Sequence, residues 1–160
     1  MGKNLVENAA IEIGAVPIDT TGAAVTGDYV SMKGFDHLTI IISQGAWAGG
    51  TPAVTLKQAS DVAGTGEKAL SFAWRWTKVA LTGTTYTKTA VTSDTFNLPA
   101  TANTINVLEI DAASLDGDGG FDCVRLAIAT PGANADLIAA TYILSEPRFA
   151  QATISDPKVD

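Results

Sequence analysis

The sequence predicts an all-β protein, a two-sheet antiparallel sandwich of jelly-roll or Greek-key type with extended N- and C-terminal arms, and three observations lead there. Its 160 residues include 20 Thr and 26 Ala beside 15 Gly and 6 Pro, so β-branched and chain-breaking residues favour short strands and turns over helices. Apolar residues recur at period two in segment after segment. Turn signals separate those segments at a spacing of about 8–15 residues, as in sandwiches.

Ile11 to Val16 alternates and is expected to stop at Pro17, with turns at Asp19–Gly22 and Thr26–Asp28 around a weak segment ending near Lys33. His37 to Gln44 is the clearest strand, with Leu38, Ile40 and Ile42 on the face expected to enter the core. Gln44 to Thr51 reads as a loop, and Pro52 to Ser60 as a strand paired with its predecessor in a long-loop hairpin. Asp61 to Lys68 is a glycine-bearing loop. Ala69 to Val79 then sets Leu70, Phe72, Trp74 and Trp76 on one side of a single strand. Thr84–Val91, Asp94–Leu98, Thr104–Ile110, Phe121–Thr130 and Leu137–Ser145 complete eight or so strands. Only Asp111 to Asp116 suits a helical turn. The expected organisation is an N-terminal arm over 1–10, a sandwich domain over 11–149 and a C-terminal tail over 150–160.

One domain of 16.5 kDa is large enough to bury roughly 70% of its unfolded surface. A net charge of −7 and a pI near 4.5 disfavour direct nucleic-acid binding. No run approaches the roughly 18 apolar residues of a membrane span, and Met1–Asn4 leads into no signal-like apolar region, so a soluble chain without membrane partner is expected. One Cys and one His preclude an intrachain disulfide and leave too few His/Cys ligands for a structural zinc site.

Each chemical reading has a plainer rival. Gly64-Thr65-Gly66-Glu67-Lys68-Ala69 spells G-x-G-x-x-A, but no helix is expected after it, so these are turn glycines. Asp111, Asp116, Asp118 and Asp122 are four acids in a glycine-rich stretch without EF-hand spacing, and read as solvated turn acids sooner than as a calcium site. His37 has Asp36 beside it but no G-x-S-x-G nucleophile, which leaves a strand-edge histidine with ordinary hydrogen bonds. Cys123, next to Val124, reads as a buried inert thiol. Trp74 and Trp76 are expected in the core more than as a sugar platform. Trp47, in its glycine-rich loop, either caps the sandwich or anchors a partner. The expectation is a non-enzyme without cofactor or metal, acting through its surface. Candidate interface residues are Trp47, Gly49, Gly50, Leu5, Val6, Arg148 and Phe149.

Three runs, Met32–Ile42, Gln44–Leu56 and Asp118–Leu126, with the closing Ala140–Phe149, resemble small structural proteins of tailed bacteriophages over about Met32 to Phe149. Within that group the resemblance is to capsid decoration (cement) proteins. It implies a non-enzymatic virion component on the capsid exterior, made in the bacterial host cytoplasm. Its partners would be the major capsid protein and itself, as a homo-oligomer and specifically a trimer. The structural alternative is a tail or head–tail junction component. The alternative of another class is a carbohydrate-binding sandwich stacking sugars on Trp47 or Trp74.

Overall fold

Alternating burial organises the computed structural model, which describes residues 4–149 and 156–159, into two antiparallel sheets packed as a sandwich. The first sheet runs β1 (Ala10–Asp19), β12 (Asp136–Pro147), β4 (Phe35–Trp47), β10 (Thr104–Asp111), β7 (Trp74–Val79) and β8 (Thr87–Ala90). The second runs β2 (Val25–Thr26), β11 (Cys123–Ile128), β5 (Ala53–Ala59) and β6 (Lys68–Ala69), with β3 (Val30–Ser31) also on β11 and β9 (Thr95–Asn97) also on β5. Here they are the β12–β4 sheet and the β11–β5 sheet.

The inward alternation of the central strands makes the core. Leu38, Ile40 and Ile42 of β4, Leu108 and Ile110 of β10, and Ile138 and Leu144 of β12 belong to one buried cluster with Val54 and Leu56 of β5 and Val124, Leu126 and Ile128 of β11. Each such side chain contributes about 1.5–3 kcal/mol by leaving water.

Tyr142 ties the layers together. It is fully buried on β12, and its hydroxyl oxygen accepts the Leu126 N–H of β11 at 2.8 Å. Two glycines make room for the ring: a Cβ on Gly14 would lie 2.9 Å from it, and one on Gly27 would be driven into the Gly14 carbonyl and the Tyr142 hydroxyl. The buried residues of β1 are therefore all small, Ala10, Gly14 and Ala15, with the half-buried Glu12 on the same side. Its large side chains point outward.

A buried polar chain crosses the same sheet. The Thr77 hydroxyl donates to Asn106 Oδ1 at 2.9 Å, and Thr104 Oγ1, bonded to Asn106 Nδ2 at 3.4 Å, donates to Gln44 Oε1 at 2.8 Å. Gln44 Nε2 then donates to Asp136 Oδ2 at 2.9 Å and to the Pro99 carbonyl at 3.3 Å. Asp136 is fully buried and its Oδ1 has no hydrogen-bond partner. Burial pushes its carboxyl above the usual range, against the Gln44 hydrogen bond, and the charge of Asp19 adds to the rise.

Several expectations are corrected. Pro17 does not end β1, which continues to Asp19: β1 is an edge strand, where a missing N–H costs no ladder bond, and its register shifts between Ala15 and Ile18. Gln44 to Trp47 is strand, paired with β12, and the loop begins only at Ala48. β4 and β5 form no hairpin, because they lie in different sheets. Ala69 to Val79 is not one strand. β6 pairs with β5, and the chain crosses through Leu70 to Ala73 to enter the other sheet as β7. The 84–91 and 94–98 segments contribute only the short β8 and β9. The expected helical turn within Asp111 to Asp116 forms as a 3-10 turn over Ala112–Ser114, and the described residues add two unexpected ones at Leu5–Glu7 and Gly117–Gly119.

Candidate functional site

The two outer faces differ in chemistry. On the β11–β5 sheet, outward Thr55, Lys57 and Arg125 are polar, and Arg125 pairs with Glu67, which also accepts the Tyr29 hydroxyl at 2.7 Å. The Tyr29 hydrogen bond is the main cause of a lowered Glu67 carboxyl, and Arg125 adds to it. Beneath that loop Tyr29, Ala59 and Cys123 form a small second cluster, and the buried Cys123 thiol bonds Asp122 at 3.2 Å. Gly64 and Gly66 of the same loop have left-handed backbones (φ +88° and +68°), and a Cβ on Gly64 would strike the Tyr29 ring. They serve a turn, as expected.

The outer face of the β12–β4 sheet is mixed, its aliphatic and aromatic side chains interleaved with threonine, serine, lysine and Glu109. One row crosses all six strands in register, Ile13, Thr141, Ile41, Val107, Trp76 and Lys88. On one side lie Ile11, Ile143, Thr39 and Glu109, and on the other Ala139, Ser43, Ile105 and Lys78. Ile13 is 58% exposed, Val16 57% and Leu137 46%. The exposed aliphatic side chains of this face gather on β1 and β12, and exposed apolar surface of this kind marks interaction sites.

At one end of this face stands His37. Its Nδ1 lies 2.8 Å from Asp111 Oδ1 and its Nε2 2.6 Å from Glu109 Oε2, which also accepts the Thr39 hydroxyl at 2.7 Å. The register of β4 against β10, with Asp111 opposite His37 and Glu109 opposite Thr39, places both carboxylates on the ring. Burial, the largest single effect, acts to lower the imidazole, but the hydrogen bonds and charges of Asp111 and Glu109 together outweigh it, and the pKa is raised above 6.5. The cluster's stabilisation is therefore complete below the unfolded value and lost as pH rises through the folded one. His37→Ala is expected to cost about 1 kcal/mol in acid and distinctly less near pH 9. Urea midpoints at both pH values measure this, and a pH-independent cost would refute the coupling.

Trp74 and Trp76 are not in the core: Trp74 is 43% exposed and Trp76 half-buried on the outward face. The Lys88 ammonium stands 4.1 Å from the Trp74 ring centre and 5.3 Å from that of Trp76. Trp74 and Trp76 line a cleft with Glu109 and Asp111. The aromatic run hides this placement, since its period-two alternation persists while the chain changes sheets.

The other predicted residues are scattered. Trp47 ends β4 half-buried, and its indole N–H donates to the Gly50 carbonyl at 2.8 Å. A Cβ on Gly50, whose φ is +80°, would lie 2.9 Å from Pro131, and one on Gly49 3.0 Å from Asn134. Leu5 and Val6 are exposed on the first 3-10 turn, near Pro147. Arg148 bonds Asp36 at 2.7 Å beside the exposed Phe149. Asp116 pairs with Lys68 and caps the third 3-10 turn through Gly119, and the Lys68 bond leads in lowering its carboxyl. Among the described residues no three His, Cys, Asp or Glu side chains converge as a metal site would require, and no helix is long and apolar enough to cross a membrane. In the C-terminal segment Pro157 is buried, its carbonyl accepting the Ser31 N–H at 2.7 Å, while Lys158 stands 3.5 Å from both Glu12 and Asp28. The arm residues 1–3, 150–155 and 160 lie outside the described residues.

No protein-family model matches the chain, and no curated protein matches it. Among solved structures it is similar to the crystal structure of the SPBc2 prophage-derived protein YomS, with 13% identity and a TM-score of 0.46, over 85% of this chain and 93% of that one.

Proposed function

We propose that this chain is a non-enzymatic structural protein of a tailed bacteriophage, a capsid decoration (cement) protein that docks on the outer head surface and braces the major-capsid lattice. The observation that carries the assembly half is the outer face of the β12–β4 sheet, where Ile11, Ile13, Val16 and Leu137 are exposed, which leaves the ion-paired face of the β11–β5 sheet to meet the shell. The phage half is supported by the sequence runs between Met32 and Phe149. In this reading the protein is made in the host cytoplasm, joins the virion as a homo-oligomer, for which the resemblance implies a trimer, and gains strength by repetition of modest contacts over the lattice.

Heating purified particles with and without the protein tests it, together with antibody labelling of intact heads. Earlier genome release from the depleted particles and labelling spread over the head are expected; equal stability with bare heads refutes the reading. Copy number separates it from a tail or head–tail junction part, which would be present in about six or twelve copies by ring symmetry.

The sugar-binding alternative has one observation in its favour, the exposed Trp74 beside Glu109 and Asp111. Lys88 already lies over that indole, which weighs against a free stacking platform. Unchanged tryptophan fluorescence across a glycan panel is the expected result.

A further inference from the structure

We propose that the outer face of the β12–β4 sheet closes on the same face of a second copy of this chain about a two-fold axis, so that two sandwiches form a four-layered pair. The face has the right extent. Six strands about 4.8 Å apart span about 24 Å, and the eight residues of β10 at about 3.4 Å each span about 27 Å, giving about 650 Å² in projection. Corrugation by side chains raises the accessible area toward the roughly 800 Å² per partner of a stable interface.

Charge distribution favours a copy of itself over an oppositely charged partner. The three outward rows and the adjoining Asp111 carry two carboxylates, Glu109 and Asp111, and two ammonium groups, Lys78 and Lys88. Two against two is neutral before His37 is counted, so the chain's net charge of −7 lies off this surface and does not oppose pairing across it. Glu109 stands in the row on one side of the Ile13–Trp76 row and Lys78 in the row on the other, with Lys88 at the edge of the central row itself. A two-fold axis along that central row exchanges the flanking rows, bringing the acidic end of one copy over the Lys78 end of the other. Each central residue then faces its own counterpart, apolar against apolar at Ile13, Ile41 and Val107 and aromatic against aromatic at Trp76, with Lys88 meeting its own copy only on the edge strand β8.

This arrangement keeps the strands of the two copies aligned within the angle that twisted sheets adopt. A single face meeting itself is isologous and closes at two copies, whereas a trimer needs two different complementary patches on each copy. The pair stands apart from the capsid reading: failure to bind heads with an intact pair would remove that reading alone.

Analytical ultracentrifugation of the full chain is expected to give twice 16.5 kDa at tens of micromolar. Ile13→Lys, at a site already exposed, should weaken association at least tenfold, while Thr26→Lys on the opposite sheet should not. Thr141→Cys should be joined into a covalent pair by a bis-maleimide of about 10 Å, the spacing of stacked sheets, and Thr26→Cys should not. A monomer at 100 µM, a trimer indifferent to Ile13→Lys, or no cross-link at Thr141→Cys would overturn the proposal.

Discussion

Tyr142→Ala is expected to lower the unfolding free energy by about 3–5 kcal/mol, the range for emptying a large buried site that cannot collapse. Both glycines that admit the ring lie on other strands or turns, so neither can move inward without breaking pairing with β12 or β11. The variant also leaves the buried Leu126 N–H without its acceptor. Tyr142→Phe isolates that second loss at about 1–3 kcal/mol. Gly27→Ala approaches the same joint from the opposite direction. Gly27 has no left-handed backbone to preserve, so its entire cost is the collision of the new methyl with the Gly14 carbonyl and the Tyr142 hydroxyl. Denaturant unfolding measures all three. A loss below about 1 kcal/mol for Tyr142→Ala, well under the cavity range, would show that the two sheets do not depend on this contact.

Gln44→Leu is expected to cost about 3 kcal/mol, although leucine suits a buried strand better by propensity. The glutamine serves Thr104, Asp136 and the Pro99 carbonyl at once, and its removal strands a buried carboxylate whose other oxygen is already unpartnered. The sign with pH follows from Asp136. Its carboxyl is raised above 3.8 by burial, so its contribution to stability is full below that value and lost as pH rises through the folded one. Losing the Gln44 bond, which acts to lower the carboxyl, pushes it higher still. The penalty of Gln44→Leu should therefore be smaller at pH 4 than at pH 7. Adding Asp136→Leu should recover much of the loss, because removing both partners avoids the unpaired group. A penalty independent of pH, or no recovery in the double variant, would place the cost elsewhere.

The strands were legible where one side of the period-two pattern was clearly the more apolar. Leu38, Ile40 and Ile42 point inward as expected, and β11 and β12 lie within a few residues of their expected bounds. Sheet membership was not legible, since alternation says which residues share a side of a strand but not which neighbour that strand has. Leu70 and Phe72 are buried and Trp74 is exposed on what looks like one unbroken pattern, because the chain changes sheets between them. β1 misleads for a different reason. Its bulky residues suggest an inward face, yet the space beneath is filled by Tyr142, a residue that lies far along the chain, so the glycine and alanines go in and the isoleucines go out. The outer face with its exposed isoleucines was obscured in the same way, being assembled from single residues on six separate segments. His37 was recognised as a hydrogen-bonding strand residue, but its clamp by Glu109 and Asp111 depends on the β4–β10 register, which local sequence does not state.

The position of β12 between β1 and β4 has a consequence for biosynthesis. Ala10 finds its partner at Leu144, so the first strand to leave the ribosome waits for the last, and until then the hydrogen-bonding edges of β1 and β4 that β12 will occupy stand open. Such a topology folds late and slowly. Newly made chains present sticky edges to one another at the very concentrations that rapid expression produces. A nascent chain stalled before Asp136 should be captured by chaperones and degraded quickly, whereas one released after Pro147 should escape both.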